Sequence, residues 1–221
     1  TIKIKDKLDS LGMPFNMSLL LYGPPGCGKT SIANYLANKL DLPLVTARLD
    51  TLISSLLGNT AKNLRRIFDF ASRQPCVLFL DEFDAIAKAR DDQHELGELK
   101  RVVNSLLQNM DAYCQCGILV AATNHQELLD DAIWRRFQTI IEVPKPEESE
   151  IEKLLQRIIN VMDMQNVTAK QQAIIIQQMK GLSYSEIQTL TQNVVKQKII
   201  RNESCASVFD FLCEVAVFKN H

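Results

Sequence analysis

Gly23-Pro-Pro-Gly-Cys-Gly-Lys-Thr30 is the stretch on which the fold turns. It satisfies the pattern G-x-x-x-x-G-K-[ST] at every fixed position. A phosphate group needs hydrogen-bond donors that approach closely, and Gly23, Gly26 and Gly28 put no Cβ in the way. Pro24, Pro25 and Cys27 fill the positions between them. After the loop, Ser31–Leu40 sets Ile32, Tyr35, Leu36 and Leu40 at helical spacing. A helix starting there offers free N–H groups and the positive end of its dipole to the same anion. Lys29 can then reach the β- and γ-phosphates of a nucleotide, and Thr30 can place its hydroxyl on Mg²⁺. The expected nucleotide set is therefore Gly23 to Thr30 together with Ser31. Before the loop, Ser18–Tyr22 (SLLLY) is a short apolar run that reads as a buried strand.

The same alternation continues outward. Leu44–Ala47, Cys76–Leu80 (CVLFL), Gly117–Ala121 (GILVA) and Gln138–Val143 are further strand candidates. Between them Ala61–Ser72, with Leu64, Ile67, Phe68 and Ala71 on one face, then Glu95–Met110 and Leu128–Arg136, read as helices. Strands separated by helical crossovers argue an α/β fold with a five-stranded parallel sheet covered on both faces. Pro144-Lys-Pro146 then punctuates the chain and the strand signal stops. Glu147–Asp163, Thr168–Met179, Ser185–Arg201 and Ser207–Phe218 read as helices. Two domains are expected: residues 1–145 as the α/β core and 146–221 as a small α-helical lid.

Val77-Leu-Phe-Leu-Asp-Glu82 is a buried strand ending in two carboxylates. It lies about fifty residues after the glycine-rich loop. Asp81 is expected to hold Mg²⁺ through water, and Glu82 to orient and polarise an attacking water. Asp84 is read as a cap for a helix starting at Ala85. Ala121-Ala-Thr-Asn124 ends the next strand, so Asn124 should face the same edge of the sheet, where open α/β folds collect ligands. From there it can hydrogen-bond both a γ-phosphate and the water.

Composition bounds the reading. The 221 residues are 46% hydrophobic with a net charge of −1, ordinary values for a water-soluble globular chain. That charge gives no global field toward nucleic acid or an anionic membrane. No apolar run approaches bilayer length, and Thr1–Lys7 has no signal-peptide pattern. The chain does not open on Met, so a trimmed chain is expected. Cys27, Cys76, Cys114, Cys116, Cys205 and Cys213 form no C-x-x-C pair and do not cluster with His. Reduced thiols in a cytoplasmic protein, rather than a zinc site, are the expectation.

Taken in this order, the loop, the acidic strand end and Asn124 resemble the AAA+ ATPases, and within them the AAA branch of hexameric remodellers. The resemblance spans roughly Ser18 to Arg201. It implies that Gly23–Thr30 is Walker A, that Asp81 and Glu82 are Walker B, and that Asn124 is sensor 1. Leu129-Asp-Asp-Ala-Ile-Trp-Arg-Arg-Phe137 resembles the segment carrying the family's arginine fingers. That implies that Arg135 and Arg136 place guanidinium charge on the nucleotide of a neighbouring subunit, in a homo-hexamer of the ATP state. Leu56-Leu57-Gly58 aligns with the pore loop that grips polypeptide, with Leu56 where the family usually has an aromatic. Asp91–Gly97 falls where a second pore loop would lie. Gly181-Leu-Ser-Tyr-Ser-Glu-Ile187 resembles the sensor-2 region without its arginine. Tyr184 and Ser185 are expected near the adenine and ribose.

The implied activity is Mg²⁺-dependent ATP hydrolysis by a ring that remodels or unfolds a protein partner. One alternative is a motor or loader acting on nucleic acid, against which stand the near-zero charge and the lack of a basic, aromatic-interleaved groove. The other is a nucleotide-gated scaffold or regulator of a separate effector such as a protease.

Overall fold

The computed structural model describes residues 17–54, 60–91, 98–114, 117–161, 164, 167–201 and 207–219. These fold into two compact units. The first holds residues 17–23 and 29–143; the second holds 24–28 and 144–219.

The first unit is built on one parallel sheet of five strands: β1 (Met17–Tyr22), β2 (Leu44–Arg48), β3 (Val77–Asp81), β4 (Ile118–Thr123) and β5 (Thr139–Glu142). Their spatial order is β2-β3-β4-β1-β5, and every neighbouring pair is parallel. The burial follows from that order. Central β3 and β4 are covered on both faces and are buried almost throughout, which is why they read as unbroken apolar runs rather than alternating ones. Edge strand β5 is exposed at all four positions. The crossovers are α1 (Lys29–Leu40), α2 (Leu49–Ser54), α3 (Thr60–Ser72), α4 (Ala85–Asp91), α5 (Glu98–Tyr113) and α6 (Asp131–Trp134). Leu64, Phe68 and Ala71 of α3 and Val102, Val103 and Leu106 of α5 join Leu78, Leu80 and Phe83 in one apolar cluster.

Two local expectations change. Leu128–Arg136 is not one helix. A 3₁₀ turn at Gln126–Leu128 ends on extended Leu129, and α6 restarts because the Asp130 carboxylate accepts from the Ile133 N–H. That capping bond satisfies a free donor of a new first turn and so resets the helix. The short helix α2, directly after β2, was not legible: six residues are too few to show a period.

The second unit carries α7 (Glu148–Val161), α8 (Ala169–Met179), α9 (Tyr184–Arg201) and α10 (Val208–Lys219). Its own core gathers Ile151, Leu155, Ile175, Met179, Leu190 and Phe211. Caps explain the helix starts. Thr168 and Gln171 form a reciprocal capping box for α8. Ser183 and Glu186 do the same at α9, where the Ser183 N–H donates to Glu186 and the Glu186 N–H to the Ser183 hydroxyl.

Asp210 ties α10 to the end of α9. It accepts from Lys198 Nζ at 2.8 Å, with Arg201 at 3.6 Å, and from the hydroxyl and N–H of Ser207. The Lys198 hydrogen bond first, then Ser207, holds its carboxyl at about 2 against an ordinary 3.8. A depressed folded pKa gives stability that is present above the unfolded value and lost as pH falls through the folded one. Chemical denaturation across pH should therefore find the parent more stable than Asp210→Asn at about pH 6, with the gap closing between about pH 4 and about pH 2.

Candidate functional site

Parallel strands bring their C-terminal ends to one edge, and the register makes those ends level. Tyr22 of β1 lies beside Thr123 of β4, Leu80 of β3 beside Ala121 of β4, and Arg48 of β2 beside Asp81 of β3. Gly23, the acidic pair and Asn124 stand at or directly after these strand ends, so one edge of the first unit's sheet collects all three.

The loop is shaped by what surrounds it. Gly23 has φ +141°, and a Cβ there would run into the carbonyl oxygen of Val143. That carbonyl is fixed because the Val143 N–H donates to Tyr22 O at 2.7 Å. Lys29 is buried and folds its Nζ back onto Gly23 O at 2.7 Å, so its charge is held at the mouth of the loop. Thr30 and Ser31 are exposed at the start of α1, where N–H groups have no helical partner. Inside the second unit, Gly26 (φ +73°) abuts the hydroxyls of Ser185 and Ser183, and the Ser185 N–H donates to Gly26 O at 3.0 Å. A side chain at Gly26 would break that seat and the backbone conformation together. Tyr184 is partly buried in the same unit; burial first, then a hydrogen bond to Glu150, raises its phenol pKa.

At the end of β3, Asp81 and Glu82 are both half-buried. Glu82 has φ +53°, a left-handed conformation that costs a residue with a Cβ about 1 kcal/mol or more. Three bonds over-determine it. The Glu82 N–H donates to Asp81 Oδ1 at 3.0 Å, the Ala85 N–H to Glu82 O at 3.0 Å, and the Phe83 N–H to Ala122 O at 2.8 Å. Asn124 Nδ2 then donates to Glu82 Oε2 at 3.3 Å, which joins the two residues expected to handle water.

The arginine segment is pinned from beneath. The buried Ser18 hydroxyl donates to Arg136 O at 3.1 Å and accepts the Gln138 N–H at 2.9 Å. Phe137 packs edge-on against Phe83 with ring centroids 5.7 Å apart. The two guanidiniums then diverge. Arg136 makes a two-point contact with Asp111 (Nε–Oδ1 2.9 Å) and donates to Ala132 O at 2.7 Å. Arg135 is exposed, and no hydrogen bond or ion pair engages its guanidinium among the described residues.

Three residues at this edge were not read from the sequence as part of the site. Arg48 is held first by Asp50 and also feels the charges of Glu82 and Asp81, which together raise its pKa. Thr123 and Asp84 are hydrogen-bonded to each other at 3.1 Å. Only the position of Arg48 at the end of a strand hinted at its place. Leu56-Leu57-Gly58 and residues 92–97 of the second loop segment lie outside the described residues, as do Cys116 and Cys205. Cys27, Cys76, Cys114 and Cys213 are in no disulfide.

Thr30 and Asp81 supply a hydroxyl and a carboxylate, hard oxygen donors of the kind Mg²⁺ takes alongside substrate phosphates. Among the described residues no group of three or more His, Cys, Asp or Glu could cage a metal. A hydroxyl and a carboxylate fit a cation shared with phosphates. No helix among the described residues is long and apolar enough to cross a membrane.

Comparison with known proteins agrees with this geometry. Residues 19–145 match the family model described as ATPase family associated with various cellular activities (AAA). An uncharacterized AAA family ATPase, y4kL, of Sinorhizobium fredii is 42% identical over 93% of this chain and 61% of that protein. Proteasome-activating nucleotidase 1 of Haloferax volcanii is 41% identical over 66% of this chain and 38% of its own length. A putative 26S proteasome regulatory subunit homolog of Methanothermobacter thermautotrophicus is 39% identical over 66% of this chain and 40% of its own. The chain thus spans 38–61% of the length of these relatives. The fold matches the crystal structure of the FIGL-1 AAA domain in complex with ADP, with a TM-score of 0.76 at 22% identity, over 97% of this chain and 77% of that one.

Proposed function

The chain belongs to the AAA family of ATPases, and from that premise we propose that it is the motor module of a ring, a homo-hexamer in the ATP state, that remodels a protein partner. The observation that carries the ring is the contrast between the arginines. Arg136 is committed to Asp111 of its own chain, whereas Arg135 presents an exposed guanidinium with no partner among the described residues. A guanidinium serves the transition state of phosphoryl transfer when it meets the γ-phosphate, and Arg135 is the one available to meet a neighbour's.

In this reading residues 1–145 form the ATPase core and 146–221 the lid. Gly23–Thr30 and Ser31 cradle the phosphates, Gly26 onward through backbone N–H groups with Pro24 and Pro25 only shaping the loop, and Lys29 leaves Gly23 O for the β- and γ-oxygens. Tyr184 and Ser185 line the base and ribose side. Thr30 and Asp81 would hold Mg²⁺, which when bound would supply positive charge against the phosphates. Glu82 accepts a hydrogen bond from the attacking water and takes up its proton as the new P–O bond forms and the bridging P–O bond to the β-phosphate breaks, releasing ADP. Asn124, already bonded to Glu82, shares the water with it and fixes the line of attack. A protein partner is favoured over nucleic acid by the net charge of −1 and by the kind of relatives named above. Those names support coupling to a protein-degrading or other protein-handling effector, not a particular one.

The test is the size of the Glu82→Gln variant with and without ATP and Mg²⁺. A shift from a small species to a ring on adding nucleotide is expected. A variant that stays monomeric at high concentration with ATP overturns the ring.

A further inference from the structure

The geometry points to Asp84 as a positioning residue that sets Asn124 against Glu82 through Thr123. The inference rests on the role proposed above for Asn124. Asp84 is buried at 1% exposure, and a charge so deep persists only when fully paired. Both oxygens are spent on side chains: Oδ1 accepts from Thr123 Oγ1 at 3.1 Å and Oδ2 from Lys88 Nζ at 2.7 Å. Burial is the largest influence on this carboxyl and pushes its pKa up, but the Lys88 and Thr123 bonds outweigh it and hold the group ionised. The carboxylate of this residue, which directly precedes α4, therefore serves two side chains.

An ionised carboxylate can only accept. The single hydroxyl proton of Thr123 is thus committed to Asp84, and its lone pairs are left to receive a donor. They receive the His125 N–H at 3.1 Å. That bond closes a turn from residue 123 to residue 125 around Asn124, whose backbone is fixed on both sides. The other end of the same clamp is Phe83 N–H to Ala122 O at 2.8 Å. Asn124 and Glu82 leave neighbouring strands, and their 3.3 Å contact depends on those two strand ends holding still relative to each other. Asp84 spans that gap from α4 to β4, while Lys88, one helical turn along α4, stops its carboxylate from rotating.

Asp84→Ala leaves Lys88 and Thr123 unpaired and risks unfolding, so Thr123→Val, close in shape and lacking the hydroxyl, is the sharper probe. Steady-state ATP turnover is measured for T123V, T123S, N124A and T123V/N124A. T123V should lower kcat about 10- to 100-fold while the KM for ATP stays within about threefold. T123S, which keeps the hydroxyl, should recover turnover to within about threefold of the parent, and adding T123V to N124A should cost no more than about twofold further. T123V at parental turnover beside a slow N124A overturns the positioning role alone. So does a double variant about tenfold slower than N124A, because the loss is then independent of Asn124. N124A at parental turnover overturns the reading of Asn124 itself, and the inference with it.

Discussion

Glu82→Gln should bind ATP within a few-fold of the parent yet turn it over about 10²- to 10⁴-fold more slowly. The amide keeps the size and the hydrogen-bond contact from Asn124, so the left-handed turn and its three backbone bonds are expected to survive. What disappears is the negative oxygen that draws the proton from water. In the proposed reading phosphate cradling is untouched, because Gly23–Thr30 runs from the end of β1 into the start of α1 and not from β3. Binding by equilibrium titration and turnover by phosphate release separate the two effects. Equal losses in both would mean that Glu82 holds the nucleotide and not the water.

Arg135→Ala should lose about 10³- to 10⁵-fold in kcat, the range an arginine finger commands. The loss should appear only in the assembled state. Arg136→Ala is expected to differ in kind. Its guanidinium already bonds Asp111 and Ala132 O, so its removal loosens the segment carrying Arg135 and lowers kcat less. It should also depress the thermal midpoint, whereas Arg135, its guanidinium exposed and unpaired among the described residues, should leave stability unchanged. Turnover and melting temperature of both variants decide the assignment. Equal turnover losses with equal, unchanged midpoints would make the two arginines joint fingers.

How far the sequence foretold this depends on the range of each interaction. Strands β1, β3 and β4 were legible because their burial wrote itself into local composition: β3 and β4, covered on both faces, are continuous apolar runs. The glycine-rich loop was legible because backbone geometry demands glycine at fixed spacing, as Gly23 beneath Val143 illustrates. The helices of the second unit announced themselves through spacing, as with Ile187, Leu190 and Val194 of α9, all buried. What local patterns do not show is long-range. Arg135 and Arg136 are the same residue type side by side, and what distinguishes them is Asp111, 25 positions upstream. The bond from Thr123 to Asp84 joins residues 39 positions apart, beyond the reach of a local reading of Asp84 as a helix cap. The break inside Leu128–Arg136 turned on a single capping bond from Asp130, which competes with a period that alone favoured one continuous helix.

Hydrolysis completed between copies of the chain is tested most directly by mixing two inactive variants. Glu82→Gln keeps Arg135 but cannot activate water; Arg135→Ala keeps Glu82 but has no finger to lend. Mixed with ATP and Mg²⁺, interfaces that pair the intact Glu82 of one copy with the intact Arg135 of its neighbour should recover turnover well above the sum of the separate variants. A mixture that co-assembles and yet hydrolyses no faster than that sum would contradict a site shared between subunits.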